Sequence, residues 1–577
     1  MLRPFLFAVL GMAASAAAAQ STRVTTASEL SSAIAGAQPG DTIEMANGRW
    51  TDLTIVFRAT GTATDSIRLV AETPGEVILD GTSSLRIGGD YLVVDGLRFQ
   101  GGTLASGHVV QFRDGSRQAT HSRLTNTAII DVNPTARAAN TKWVSLYGIH
   151  NRVDHSYFAG KENVGTTLVV WLEPASSHEP TYHRIDHNHF GPRPRLGVNG
   201  GETIRIGTST TSMQDAFVTV ERNLFERCDG EIEIISNKSG KNVYRGNTFL
   251  RSRGTLTLRH GNGALVEGNV FLGKRGDDTG GVRVIGEDHV VVNNYFELLN
   301  GTGFESAIAI MNGVPNSPLN RYFQVKNAVI AHNTIIRAQD ALTLGAGADS
   351  ERTLAPDSVV FHNNVILSQG NTIVDVEAEP TRMSWDGTVY WGGSLGIDEP
   401  EGVRNVNPLV EPSDDGLWRP LDGSPLFDAA APVPGLDLPF DLDGQPRDDQ
   451  PDIGADERSD APIRLRPLTA DDVGTTWPVG TASELGSLAP SALSLGAPYP
   501  NPARTRARLP LVALAAARVE VSVYDVLGRR VATLFDSSIT PGVRQLDLDT
   551  RELASGTYQI VARADGAVSR VSLVVTR

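Results

Sequence analysis

An asparagine followed two positions later by phenylalanine or isoleucine returns along the middle of the chain. The copies are Asn188-His-Phe190, Asn223-Leu-Phe225, Asn247-Thr-Phe249, Asn269-Val-Phe271, Asn294-Tyr-Phe296, Asn333-Thr-Ile335 and Asn364-Val-Ile366. The closest stand 22 to 25 residues apart. Around them lie short Val/Ile/Leu/Thr runs, such as Ile67 to Val70, Tyr91 to Val94, Leu168 to Trp171, Ile232 to Ile235 and Val290 to Val292, separated by Gly, Asn and Asp. One turn asparagine and one inward ring per short period fits a right-handed, single-stranded parallel β-helix, one copy per coil. Propellers need longer periods, and leucine-rich repeats a denser leucine pattern. Longer gaps, such as Asn188 to Asn223, are expected to be coils carrying loop insertions. With 58 glycines and only 6% aromatic residues in 577, the composition is that of a turn-rich all-β protein, not a coiled coil or collagen.

Both ends depart from this pattern. Residues 1–19 combine one arginine, an apolar run from Phe5 to Leu10 and a small-residue stretch, the zones of a secretory signal peptide. No later stretch supplies the roughly 20 apolar residues of a membrane span. Thr26-Ala-Ser-Glu29 is a capping box that predicts one short helix through Ala35. The solenoid is expected over 20–460, closing after Phe440-Asp-Leu-Asp-Gly-Gln and Pro451-Asp-Ile-Gly-Ala-Asp-Glu457. Residues 461–492, rich in Ala, Ser, Thr, Pro and Gly, read as a linker, and 493–577 as a small β-sandwich. Tyr499-Pro-Asn-Pro502, Val523-Tyr-Asp-Val-Leu-Gly-Arg529, Leu553-Ala-Ser-Gly-Thr-Tyr558 and Val574-Val-Thr-Arg577 give this tail the look of a type IX secretion sorting domain. That resemblance implies export through the periplasm to the cell surface or medium, with the secretion machinery as partner. A net charge of −15 argues against nucleic acid and anionic membranes as partners, so a polyanionic substrate would need a locally basic site. The single cysteine, Cys228, excludes an internal disulfide framework.

The chemistry concentrates between Asn199 and Arg283. In Glu231-Ile-Glu-Ile-Ile-Ser-Asn-Lys238 the two glutamates alternate with isoleucines, so on a strand both carboxylates face one side. Lys238 follows, Arg259 lies 21 residues on and Arg283 a further 24, each close to one coil, which predicts cations on adjacent rungs beside the acids. Two oxygen donors with neighbouring cations suit a calcium ion and an acidic sugar. A solvated strand face with surface ion pairs writes the same residues and remains open at this level. His183, Asp186, His187 and His189 are dense enough to suggest a metal, yet they surround a repeat asparagine and read as a coil turn. Arg275-Gly-Asp277 reads as a chance tripeptide in a turn-rich chain.

Asn199-Gly-Gly-Glu-Thr-Ile-Arg-Ile-Gly207, Glu231 through Ser239 and Arg259-His-Gly261, with Phe158-x-Gly-Lys161 and Asp452 to Glu457, resemble polysaccharide lyase family 6, the alginate lyases and chondroitinase B. The resemblance spans about Thr22 to Glu457. It implies Asn199, Glu231 and Glu233 as Ca²⁺ ligands with Glu202 a neighbour, Lys238 as Brønsted base, Arg259 as acid, and His260 and Arg283 as substrate contacts. The activity implied is β-elimination on an acidic polysaccharide, alginate before dermatan sulfate, because no additional basic cluster offers itself to sulfate groups. Two other readings fit part of the chain. A pectin-type hydrolase would use Asp229, Glu231 and Glu233 as paired carboxylates and leave Lys238 and Arg259 idle. A non-catalytic surface protein holding acidic glycans would suit the sorting tail.

Overall fold

The computed structural model describes residues 19–479, 493–495, 498, 500–513, 517–525, 529–540, 542–564 and 567–577. The leader expected over 1–19 lies outside them except for Ala19, as do Tyr499 and residues 526–528 of the tail motifs. The described residues fall into two compact units, divided at Val479/Gly480.

The first unit is a parallel β-helix. Three sheets of 14 strands run its length, and beyond the start of the second sheet, where the antiparallel pair Arg113–Asp114 and Arg117–Thr120 is added out of chain order, each coil adds one strand to each sheet in the order in which the coils are written. The helix Ala27–Gly36 lies at the N-terminal end, with Thr26 and Glu29 forming a complete capping box and Leu30 and Ile34 buried.

The asparagine repeat builds one corner of this solenoid. From Asn188 to Asn333, each repeat asparagine donates its backbone N–H to the side-chain Oδ1 of the next copy at 2.9–3.0 Å. Each Nδ2 donates both to a main-chain carbonyl of the preceding coil and to the next Oδ1. The amides are fully buried, so this pairing is what makes a polar residue tolerable there. Two positions on, Phe190, Phe225, Phe249, Phe271 and Phe296, with Phe158 of the coil before them, stack ring on ring with centroids 4.4–5.2 Å apart. Their spacing follows the strand repeat of about 4.8 Å, which brings equivalent rings of neighbouring coils into offset contact.

The chain after the last coil folds back. Val410, Leu417, Leu426, Leu442, Ile453 and Ala455 pack on the outer face of the third sheet, over Val270, Tyr295, Ile336, Val365 and Val389. Asp441, Asp443 and Asp456 converge there, and Arg419 neutralises part of their charge with contacts of 2.7 Å to Asp443 and 2.6 Å to Asp456. The segment from 461 was expected to begin a linker, but through residue 479 it is a strap on the solenoid. Leu468 and Val473 bury against Leu224, the Leu468 N–H donates to Thr248 Oγ1 at 2.8 Å, and the Trp477 indole donates to the Asn126 carbonyl at 3.1 Å. Its few apolar residues are spaced to meet successive coils, a long-range match that composition conceals.

The second unit has a three-stranded and a four-stranded antiparallel sheet. Leu509, Leu511, Val521, Val523, Ile560, Ala562 and Leu573 form its core.

Candidate active site

The site lies on the second sheet. Successive strands there are Ile204–Ile206, Glu233–Lys238, Gly254–His260 and Thr279–Val284. Ile204, Ile235, Leu256 and Val282 align through the core, so the aligned set Arg205, Ser236, Thr257 and Arg283 faces outward. Lys238 and Arg259 stand two residues after Ser236 and Thr257, on the same outward side, and a register shift near the end of the pairing sets His260 opposite Lys238.

The two strand acids part company in detail. Glu231 precedes the strand, which begins at Glu233, and a second register shift follows Glu233. Glu231 Oε2 accepts the N–H groups of Gly200 and Gly201 at 2.8 and 3.0 Å, which ties the Asn199-Gly-Gly-Glu202 loop to it. Glu202 is buried, with Oε2 lacking any partner, and Asn199 stands exposed at the loop's edge. Burial, with the nearby Glu202 and Glu233 charges, pushes the Glu231 carboxyl up to about 7. Glu233 is opposite in character. Burial alone would raise it, but Arg283, Lys238, Ser236 and Arg259 hold it below the usual carboxylate range. Its Oε1 takes Arg283 Nη2 at 2.6 Å and lies 3.7 Å from Arg259 Nε, while Ser236 donates to Oε2. Asn199, Glu202 and Glu231 thus form an oxygen-rich loop with an orphaned buried carboxylate oxygen and one destabilised carboxylate, a donor set that fits a hard cation such as Ca²⁺. Glu233 is shared between that loop and the arginines.

Arg259 is held on three sides. Nη1 donates to the Arg321 carbonyl at 2.9 Å, Nη2 to the Asn320 carbonyl at 3.3 Å, and the guanidinium lies over the Tyr322 ring at 4.1 Å. Burial pulls its pKa down, while Tyr322 and Glu233 hold it up. The Arg321 carbonyl also lies 3.1 Å from His260 Nε2. His260 is buried, its Nδ1 has no partner, and burial with Arg259 and Lys238 nearby holds the imidazole down at about 3, so it is neutral at physiological pH. Arg283, expected to contact substrate, is buried against Glu233. Lys238 is half-buried, and its ammonium has no hydrogen-bond or ion-pair partner among the described residues.

Two contributors escaped the sequence reading. Tyr322 comes from a loop some sixty residues beyond Arg259 and carries no motif. Arg193, buried, donates to the carbonyls of Gly165 and Glu202 at 2.8 Å each and so braces the Asn199–Glu202 loop from beneath. Lys161 is interior: Nζ donates to Asn163 Oδ1 at 2.6 Å, lies 5.6 Å from the Trp143 ring, and burial takes it down to about 6. His183 is likewise structural, with Nδ1 accepting the Asn151 N–H at 3.0 Å inside the solenoid.

Comparison with known proteins places this arrangement. The chondroitinase B family model matches residues 24–380, and a secretion system C-terminal sorting domain matches 497–576. Among solved structures, the PL6 family alginate lyase AlyGC is 40% identical, with a TM-score of 0.71 over 80% of this chain and 59% of its own length. The chain therefore spans somewhat under two thirds of AlyGC. A mannuronic acid specific family 6 lyase from human gut microbiota is 30% identical, with a TM-score of 0.61 over 67% of this chain and 91% of that one. The PL6 polysaccharide lyase Pedsa3628 from Pseudopedobacter saltans is 25% identical, with a TM-score of 0.60 over 79% and 100%. No curated protein matches. No helix among the described residues is long and apolar enough to cross a membrane. From the solenoid, the site and these matches together, the chain belongs to polysaccharide lyase family 6, the chondroitinase B family, and carries a secretion-system sorting domain at its C-terminus.

Proposed function

We propose that the chain is an exported, calcium-dependent lyase that cleaves alginate by β-elimination. The observation that carries this reading is the free Lys238 ammonium. It makes no hydrogen bond or ion pair among the described residues and acts on Glu233 only through its charge, while Arg259, His260, Arg283 and Glu233 around it are engaged with one another or with the carbonyls of residues 320–321. A paired-carboxylate hydrolase would leave this lysine without work. The alginate lyases among the solved relatives favour alginate over dermatan sulfate.

In the reaction, Lys238 as the neutral amine takes the C5 proton of a uronate. The C5 electron pair becomes the C4–C5 double bond, and the C4–O bond breaks. The leaving oxygen takes a proton from the Arg259 side, where burial favours giving one up. His260, neutral and with its Nδ1 unpartnered, orients the sugar. Asn199, Glu202, Glu231 and Glu233 would hold a calcium ion, which when bound would neutralise the substrate carboxylate and so make the C5 proton acidic enough to remove. Arg193 keeps the loop carrying those ligands in place.

Lys238→Ala tests the assignment. Formation of unsaturated product, followed by near-ultraviolet absorbance, falls at least about 10²-fold while calcium binding by calorimetry persists. Near-normal turnover in the purified variant would overturn the base assignment.

A further inference from the structure

Behind the site, two apolar columns of the solenoid core are each interrupted by a polar side chain. Val170, Ile206, Asn237, Leu258, Val284 and Ile310 align inward on the second sheet. Ile185, Val220, Tyr244, Val266 and Val291 align inward on the first. The Asn237 amide and the Tyr244 phenol are fully buried among aliphatic neighbours, and they meet. Tyr244 Oη donates to Asn237 Oδ1 at 2.7 Å, and burial drives the phenol well above its ordinary range, so it stays protonated. Asn242 Nδ2 donates to the same oxygen at 2.6 Å.

An amide in an apolar core is costly unless its bonding capacity is used, and here it is used in full. Asn237 Nδ2 donates to the Ser239 carbonyl and to the His260 carbonyl, each at 2.9 Å. Those two carbonyls lie at the ends of neighbouring strands, one just after Lys238 and the other just after Arg259. The strands are out of step at this point: Asn237 pairs with Leu258 but Lys238 with His260, so Arg259 is the extra residue of a bulge. A bulge disrupts the ladder locally and re-aims a side chain. Immediately beyond it the two chain segments run so close that a Cβ on Gly261, at φ +84°, would lie 2.1 Å from the Ser239 carbonyl carbon. Asn237 therefore ties the two strands together where the ladder between them is irregular.

We propose that Asn237 is a positioning residue for the reaction: from inside the solenoid, supported by Tyr244 and Asn242, it clamps the end of the Lys238 strand to the end of the Arg259 strand and so fixes the separation of those two side chains on the outward face. The inference rests on the lyase reading, in which Lys238 and Arg259 act on one sugar as base and acid, and deepens it. Packing alone does not call for an amide here, since Ile206 and Leu258 fill the same column on either side.

The test compares the full wild-type chain with Tyr244→Phe and with Asn237→Leu carried together with Tyr244→Phe. The double change removes donor and acceptor at once, which limits the loss of stability. Unsaturated product from alginate gives kcat and KM, calorimetry gives calcium affinity, and a thermal melt shows that the solenoid persists. In the double variant kcat should fall about 10²-fold, the cost of a misplacement on the order of 1 Å, while KM and calcium affinity stay near wild type. Tyr244→Phe, which keeps the clamp and removes one support, should lower kcat by about three- to tenfold. Asn247→Ala, at the asparagine corner, is the comparison for a purely structural loss: it should lower the melting temperature and leave kcat unchanged below the melt. An unchanged kcat in the folded double variant, or a loss no greater than Asn247→Ala shows, would overturn the proposal and leave the lyase reading standing. Should the double variant fail to fold, an unchanged kcat in Tyr244→Phe would overturn it equally. No unsaturated product from the wild-type chain would overturn the lyase reading and the proposal with it.

Discussion

Arg259 illustrates how one side chain is made to serve the site. Two carbonyls and the Tyr322 ring fix its plane, and the Tyr322 ring also has the Arg352 guanidinium 5.2 Å from its centroid. A cation over an aromatic face is worth about 0.5–2 kcal/mol, enough to change a rate by several-fold to tenfold or more. Tyr322→Leu should therefore lower kcat about tenfold with a smaller change in KM, whereas Tyr322→Phe, which keeps the face, should stay near wild type. Equal losses in both variants would show that the phenol oxygen matters instead of the platform. Lys238, Arg259 and the glutamates were legible in the sequence because spacings of 21 and 24 residues match one coil and their motifs are contiguous. Tyr322 was not legible, because a loop that returns to the site from another coil leaves no local pattern. The place of Arg283 was also hidden: its spacing suggested one column with Lys238 and Arg259, but it aligns with Ser236 and Thr257, two residues before them, and is buried against Glu233.

At the level of the coil, the asparagine corner and the phenylalanine stack are what the repeat encodes, and both were readable from it. Asn247 accepts from Asn223 N–H and donates to Val220 O and Asn269 Oδ1. Its replacement by alanine strands buried groups on two neighbouring coils, and each such group costs about 1–3 kcal/mol. Asn247→Ala should destabilise the solenoid by about 2–5 kcal/mol in a denaturant or thermal melt. A loss under about 0.5 kcal/mol would mean the ladder is dispensable. Histidines do similar work at a second corner, which the sequence reading did not foresee. His289 Nδ1 accepts the Ala264 N–H at 3.1 Å, as the side chain of Asn242 accepts from Val218, and burial holds His289 at about 4. The folded chain then binds fewer protons at this site than the unfolded chain between about 4 and the usual imidazole value of about 6.5. Its contribution to stability is complete above that window and is lost as pH falls through it. His289→Asn, which supplies an acceptor that does not titrate, should shrink the drop in melting temperature between pH 7 and pH 5. An unchanged drop would show that this imidazole is not held neutral.

Over the whole molecule, charge is distributed so that an acidic protein keeps several cations on one outward face of the second sheet. The net charge is −15, while Arg113, Lys142, Arg205 and Lys238 make no ion pair with a carboxylate among the described residues. Composition could state only that a basic patch must be local, and the stacking of coils brings Arg113, Arg205 and Lys238 to one face of the second sheet. The strap through residue 479 and the fold-back over the third sheet bind distant coils together, and sequence reading placed a linker over the first of them because few apolar residues carry the contact. The sorting domain is a separate small antiparallel unit whose ordered motifs were recognisable without reference to the solenoid. The most direct measurement is near-ultraviolet absorbance of the full chain incubated with alginate and, separately, dermatan sulfate, each with added calcium and with a chelator. Absorbance rising with alginate, and abolished by the chelator, is the predicted result; shortening of the polymer without any rise in absorbance would contradict the account.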